Sequence, residues 1–181
     1  TRNIVAVETG AKLTLIEAHV ALGNAAKAQV NSGTDLTVAD GAEVTHIKCV
    51  AGANEATTHL ATWAVQIGKA ASYRAFQLTA GTQLARNQVF ATFAGEGAKL
   101  DVSGCFLGRG SDHIDTTLVV DHAVPGCESR ELFKGVLDGR ARGVFQGKVI
   151  VRQNAQKTDG KQMAQALMLS PDAEFDSKPE L

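Results

Sequence analysis

Residues 141–181 read ARGVFQGKVIVRQNAQKTDGKQMAQALMLSPDAEFDSKPEL, and the reading of this stretch decides what kind of fold the chain adopts. Val144 to Val151 is apolar and β-branched, and Phe145, Gly147, Val149 and Val151 recur at the two-residue period of a strand with one face buried. Ala155-Gln156-Lys157-Thr158-Asp159-Gly160 is polar and ends in glycine, the composition of a turn. A second apolar run, Met163 to Leu169, stops at Ser170-Pro171-Asp172; taken alone, its Gln, Met, Ala and Leu content leaves strand and helix both open.

Working outward, the same short alternating runs recur: Asn3 to Val7, Leu36 to Val38, Val44 to Cys49, Leu60 to Ile67, Tyr73 to Leu78, Gln88 to Phe93, Leu100 to Leu107 and Ile114 to Val120. Helix is therefore a minority state, with the Ala-rich residues 18–30 and the run 159–169 as its two candidates. The phrase Gly-Ala-x-(Leu/Val) occurs at Gly10, Gly41 and Gly97, with a looser copy at Gly81, each time just before a strand. Small residues that turn the chain at irregular spacings of 31, 40 and 16 residues fit the coils of a β-solenoid with variable turns. A β-sandwich also repeats turn and strand and stays open at this point.

A chain of 181 residues can bury roughly 70% of its unfolded surface and suits one domain, expected over residues 1–181. Eighteen basic residues against nineteen acidic ones leave no electrostatic footprint for nucleic acid or an anionic membrane. No apolar run approaches the roughly 18 residues of a membrane span, and the N-terminus has no signal-peptide layout, so a soluble, cytoplasmic protein is expected. The chain starts at Thr1 and stops at Leu181 with no tapering tail, which reads as a core cut from something longer. Cys49, Cys105 and Cys127 form no C-x-x-C pair, against both a disulfide framework and a paired-cysteine zinc site.

For chemistry, His113 and His122 bracket one strand and Cys127 follows five residues later, making these three the candidate metal ligands. An offset of nine puts the two histidines on opposite strand faces, so hydrogen-bonded histidines and a small buried cysteine are the favoured reading. Gln156-Lys157-Thr158-Asp159 reads as a closed turn rather than an acid/base pair, and Gly95-Glu96-Gly97 as a turn with no phosphate-binding motif around it. His19, His46 and His59 are isolated in sequence and expected to be structural; Cys49 and Cys105 sit in apolar strands as small hydrophobes. Asp112, Asp115 and Asp121 form an acidic group, but Asp115 and Asp121 lie about 20 Å apart by strand rise, too far for a glycosidase pair.

Gly143 to Val151, Ala155 to Asp159, Leu169-Ser170 and Ser177-Lys178-Pro179-Glu180-Leu181 resemble, in order and spacing, the SufB/SufD family of the SUF iron–sulfur cluster assembly system, most closely its SufD members. Asp121 to Arg130, Leu132 to Leu137, Leu84 to Asn87 and Ala94 to Ala98 fit the same family. The resemblance implies an all-β, right-handed parallel β-helix, and it resolves residues 159–169 as strand. It implies a non-enzymatic scaffold that works with SufB-like and SufC-like ATPase subunits and forms a homodimer or heterodimer through the β-helix. In the family the iron–sulfur cluster is held transiently by the full complex, and its ligands would lie beyond Leu181, so no cofactor is expected on this stretch. A β-helix dimerisation module without a cluster role, or a carbohydrate-active β-helix enzyme, are the alternatives.

Overall fold

The computed structural model describes residues 1–20, 28–51 and 57–181. Every regular element in them is a strand: β1 (Arg2–Val7), β2 (Lys12–Val20), β3 (Gln29–Val38), β4 (Glu43–Ala51), β5 (Thr58–Ile67), β6 (Ser72–Ala80), β7 (Leu84–Phe93), β8 (Lys99–Gly108), β9 (His113–His122), β10 (Glu128–Leu137), β11 (Arg142–Val151), β12 (Asp159–Met168) and β13 (Glu174–Glu180). The odd strands form one parallel sheet in the order β1-β3-β5-β7-β9-β11-β13 and the even strands a second, from β2 to β12. The chain crosses from sheet to sheet at every turn, giving a β-solenoid of about six coils. Among the described residues no helix is long and apolar enough to cross a membrane.

Strand pairing shows the period that the glycine phrases only hinted at. Successive coils are offset by as few as 26 residues, Thr58 beside Leu84, and as many as 32, Arg142 beside Glu174. The reason for the uneven spacing is that the phrases come from two corners. Gly10, Gly41, Ala70, Gly97, Gly126 and Lys157, with φ between 51° and 70°, each stand two residues before an even strand. Gly81, Gly110 and Gly139 stand three residues before odd strands at the opposite corner. Ala70 and Lys157 occupy the left-handed region without being glycine, which hides two members of the first series from a search for Gly-Ala.

The helix-forming run 159–169 is β12, paired along its length with β10. Coil-to-coil hydrogen bonding overrides a propensity worth only tenths of a kcal/mol per residue. Of residues 18–30, Ala18 to Val20 end β2 and Gln29 and Val30 open β3; residues 21–27 lie outside the described residues. Alternate side chains point between the sheets, where Leu36, Val38, Val65, Ile67, Phe93, Leu118, Val120 and Phe145 form the core. In β11, Phe145 and Val149 are buried as the alternation requires, whereas Val151 is 48% exposed because β13 covers β11 only from Arg142 to Lys148.

Candidate functional site

The three sequence-derived ligand candidates do not meet. His113 lies on the outer face of β9 and His122 on its inner face, fully buried, with Nε2 3.1 Å from Ser129 Oγ and its ring against Phe93. Burial lowers the His122 pKa, favouring the neutral ring. Cys127 is buried at a corner, within 3.5 Å of the Gly95 carbonyl oxygen, and burial raises its thiol pKa, so it is a poor nucleophile. The acidic residues nearby are occupied: Arg152 donates to both Asp121 oxygens, Arg86 lies 3.6 Å from Asp115, and the Arg109 amide donates to Asp112. Lys157 takes the left-handed corner position, Thr158 donates to the Ala155 carbonyl, and Arg130 donates to Asp159, so that phrase is a turn.

The functional groups that do converge are ones the sequence leaves scattered. Inner positions of β2 to β7 bring Glu17, His19, Thr34, His46, Lys48, His59, Trp63, Tyr73, Thr79 and Asn87 into the space between the sheets. The register makes this unavoidable: Glu17 pairs with Lys48, and Thr34 with Trp63, so their side chains stack coil on coil. His46, Lys48, His59 and Tyr73 are at most 1% exposed, while Glu17 and His19 on the terminal strand β2 keep side-chain exposures of 11% and 23%.

Glu17 is the hub. Its Oε1 accepts from Thr34 Oγ1 at 2.7 Å and lies 3.4 Å from His46 Nε2; its Oε2 accepts from Trp63 Nε1 at 3.4 Å and lies 3.7 Å from His19 Nε2. His46 stacks on Trp63 at 4.1 Å between ring centres, with Nδ1 2.9 Å from the Tyr73 hydroxyl. Lys48 Nζ donates to Asn87 Oδ1 at 2.8 Å, and the Asn87 amide donates to Thr79. The His19 and His59 rings meet edge to face at 4.7 Å.

Electrostatics separate these groups. Burial alone would raise the Glu17 pKa, but the facing His46, the Thr34 hydroxyl and the Lys48 charge outweigh it and hold the carboxyl at about 2. Burial lowers Lys48 to about 8 against the pull of Glu17, and burial with the Lys48 charge lowers His59 to about 3 and His19 below its usual value. The result is an ionised carboxylate beside His46, with His19 and His59 favoured in the neutral form. Nε2 of His19, His46 and His59 are all buried without a hydrogen-bond partner, although such atoms are normally satisfied. Among the described residues, no three His, Cys, Asp or Glu side chains already close on one point tightly enough to hold a metal ion.

A smaller polar pocket lies toward the other end: His122, Ser129, Glu131 and Gln162 face inward. Both Glu131 oxygens and Gln162 Nε2 lack partners, and burial raises Glu131 to about 7, against the lowering effect of Ser129 and Arg130.

The sequence contains a parity signal for the larger cluster, since Val44, His46, Lys48 and Val50 share one strand face. The competing set Thr45, Ile47 and Cys49 looks the more apolar and masks it.

A family model described as "SUF system FeS cluster assembly, SufBD core domain" matches residues 1–181. The chain is 30% identical to an iron–sulfur cluster assembly SufBD family protein of Synechocystis over 99% of its own length and 41% of that protein. It is also 30% identical to the iron–sulfur cluster assembly protein SufD of Escherichia coli, over 95% of its length and 40% of that protein. Similarity extends to the chloroplastic protein ABCI7 of Arabidopsis thaliana, at 24% identity over 99% of the chain and 38% of that protein. The chain thus spans about two fifths of the curated relatives it matches.

Proposed function

Because this chain belongs to the SufBD core family of the SUF iron–sulfur cluster assembly system, we propose that it is the β-helical core of a SufD-like scaffold subunit. It works beside SufB-like and SufC-like ATPase subunits in the cytoplasm and catalyses no reaction by itself. The observation that carries this reading is the match of one family along all 181 residues, with E. coli SufD among the relatives. The iron–sulfur cluster is the cargo of the assembled complex, held by residues outside this chain.

The architecture supports the partner role. A parallel ladder ends in unpaired backbone groups, and such an edge recruits another strand unless covered. At the C-terminal end β12 and β13 are those edges, and Met163, Leu167, Met168 and Leu169 there are 52% to 60% exposed. Apolar side chains beside an open ladder suit a homodimer or heterodimer contact through the β-helix.

The test is co-expression of the whole protein with tagged SufC-like and SufB-like subunits. The expected result is co-elution as one complex and broad sulfide-to-iron absorbance after anaerobic reconstitution with ferrous iron and sulfide. Failure to co-elute overturns the scaffold reading. Cluster absorbance on residues 1–181 alone would place the cluster seat inside this chain and overturn that part of it.

A further inference from the structure

We infer that the interior cluster of Glu17, His19, His46 and His59 is a binding site for a divalent first-row transition ion. It lies at the N-terminal end of the solenoid, away from the C-terminal edges β12 and β13, and is independent of the assembly role.

Three imidazoles and one carboxylate are nitrogen and oxygen ligands of the kind that select Fe2+, Zn2+, Co2+ or Ni2+, and two histidines with one carboxylate are the facial ligand set of non-haem ferrous sites. Nε2 of all three histidines is buried without a hydrogen-bond partner, those of His46 and His19 only facing Glu17 oxygens at 3.4 and 3.7 Å, which costs on folding unless something satisfies them. If His46 Nδ1 donates its hydrogen to the Tyr73 oxygen 2.9 Å away, the Nε2 lone pair is free and the ring is oriented by a neighbour, as metal-bound histidines are.

Two ligands about 2.1 Å from one tetrahedral ion lie roughly 3.4 Å apart. His46 Nε2 and Glu17 Oε1 are 3.4 Å apart, and His19 Nε2 and Glu17 Oε2 are 3.7 Å apart. The two contacts run to different Glu17 oxygens, so the imidazoles close on one ion only after side-chain rearrangement, in keeping with the lack of a ready-made triad. Glu17 and His19 are the members with residual exposure and sit on a terminal strand, so they provide both the entry and the freedom to close. His59, in edge contact with His19, supplies the next donor. Lys48 opposes a second cation nearby, but its ammonium is directed to Asn87 Oδ1.

The site carries its own reporter. Trp63 is the only tryptophan of the chain, stacks on His46 and donates to Glu17, so an open-shell ion bound there quenches its fluorescence. The experiment is an anaerobic titration of this chain with Co2+ in the absence of sulfide, read by Trp63 emission and by visible cobalt absorption. The expected result is saturable quenching at one ion per chain, weakened tenfold or more in Glu17→Gln and in His19→Gln and unchanged in His113→Gln, whose histidine lies on the outer face. Circular dichroism checks that each variant is folded; if Glu17→Gln is not, the partly exposed His19→Gln decides. The inference is overturned if quenching does not saturate, or if folded His19→Gln binds Co2+ as the parent chain does.

Discussion

The two ends of the coil interior are built differently although they share one backbone. Toward the N-terminus the space between the sheets holds an ionised Glu17 ringed by histidines, Lys48 and Trp63. Toward the C-terminus the same space holds stacked phenylalanines, Phe133 on Phe145 at 4.8 Å and Phe106 beside Phe175 at 6.0 Å, next to the smaller pocket of His122, Ser129, Glu131 and Gln162. A parallel ladder fixes where a side chain sits and leaves its chemistry free, since backbone pairing is indifferent to what points inward. The apolar core runs through both ends, which differ in what lies beside it: an ionised cluster at one and stacked phenylalanines at the other.

The largest effect that tests this division is Phe133→Ala. The ring is 1% exposed and fills the space above Gly104, where an added Cβ would come within 2.4 Å of it. Its removal leaves a cavity that rigid sheets cannot collapse, so a loss of about 3–5 kcal/mol is expected in a urea melt. A loss below about 1 kcal/mol would mean that the Phe133 ring fills no close-packed space between the sheets.

The two buried glutamates give the comparison opposite signs. Glu131 is raised from 4.5 to about 7, so its contribution is complete below pH 4.5 and is lost as pH rises through 7. Glu131→Gln should therefore be neutral near pH 4 and stabilising by about 2–3 kcal/mol at pH 8. Glu17 is lowered from 4.5 to about 2, so its contribution is present above pH 4.5 and is lost as pH falls through 2. Glu17→Gln should cost up to about 2–3 kcal/mol near neutrality and nothing near pH 2. Thermal melts of both variants across pH 2 to 9 check the pair; slopes of the same sign would show that the two carboxyls share one protonation state.

Most strands were legible in the sequence, because two-residue alternation needs only apolar residues on one parity. Two strands escaped that reading for the same physical reason. β10 turns Ser129 and Glu131 inward beside Phe133, and β13 is mostly polar, with Pro179 on an edge where no amide is needed. The cluster was hidden one level deeper. His46 and Lys48 face inward while Ile47 faces out, an inversion that becomes visible only when Glu17, 31 residues before Lys48, is placed beside it by the register. His113, His122 and Cys127 are close in sequence, but a strand and a corner point them apart.

The smallest effect concerns the corner that both halves share, where they should behave alike. Ala70, with φ 51°, and Gly97, with φ 69°, are successive members of one ladder; the Ala70 amide donates to the Glu96 carbonyl at 2.9 Å. A left-handed conformation costs a residue with a Cβ roughly 1–2 kcal/mol, and glycine returns about 0.5–1 kcal/mol of that as unfolded-state entropy. Ala70→Gly should then stabilise by about 0.5 kcal/mol and Gly97→Ala destabilise by a similar amount. No atom lies within 4 Å of the added Cβ at Gly97, so the second change reports backbone strain alone. Equal and opposite shifts in melting would show one uniform corner under two different interiors. A destabilising Ala70→Gly would show instead that the Ala70 methyl group contributes to packing in the polar half, and that the halves differ at the corner too.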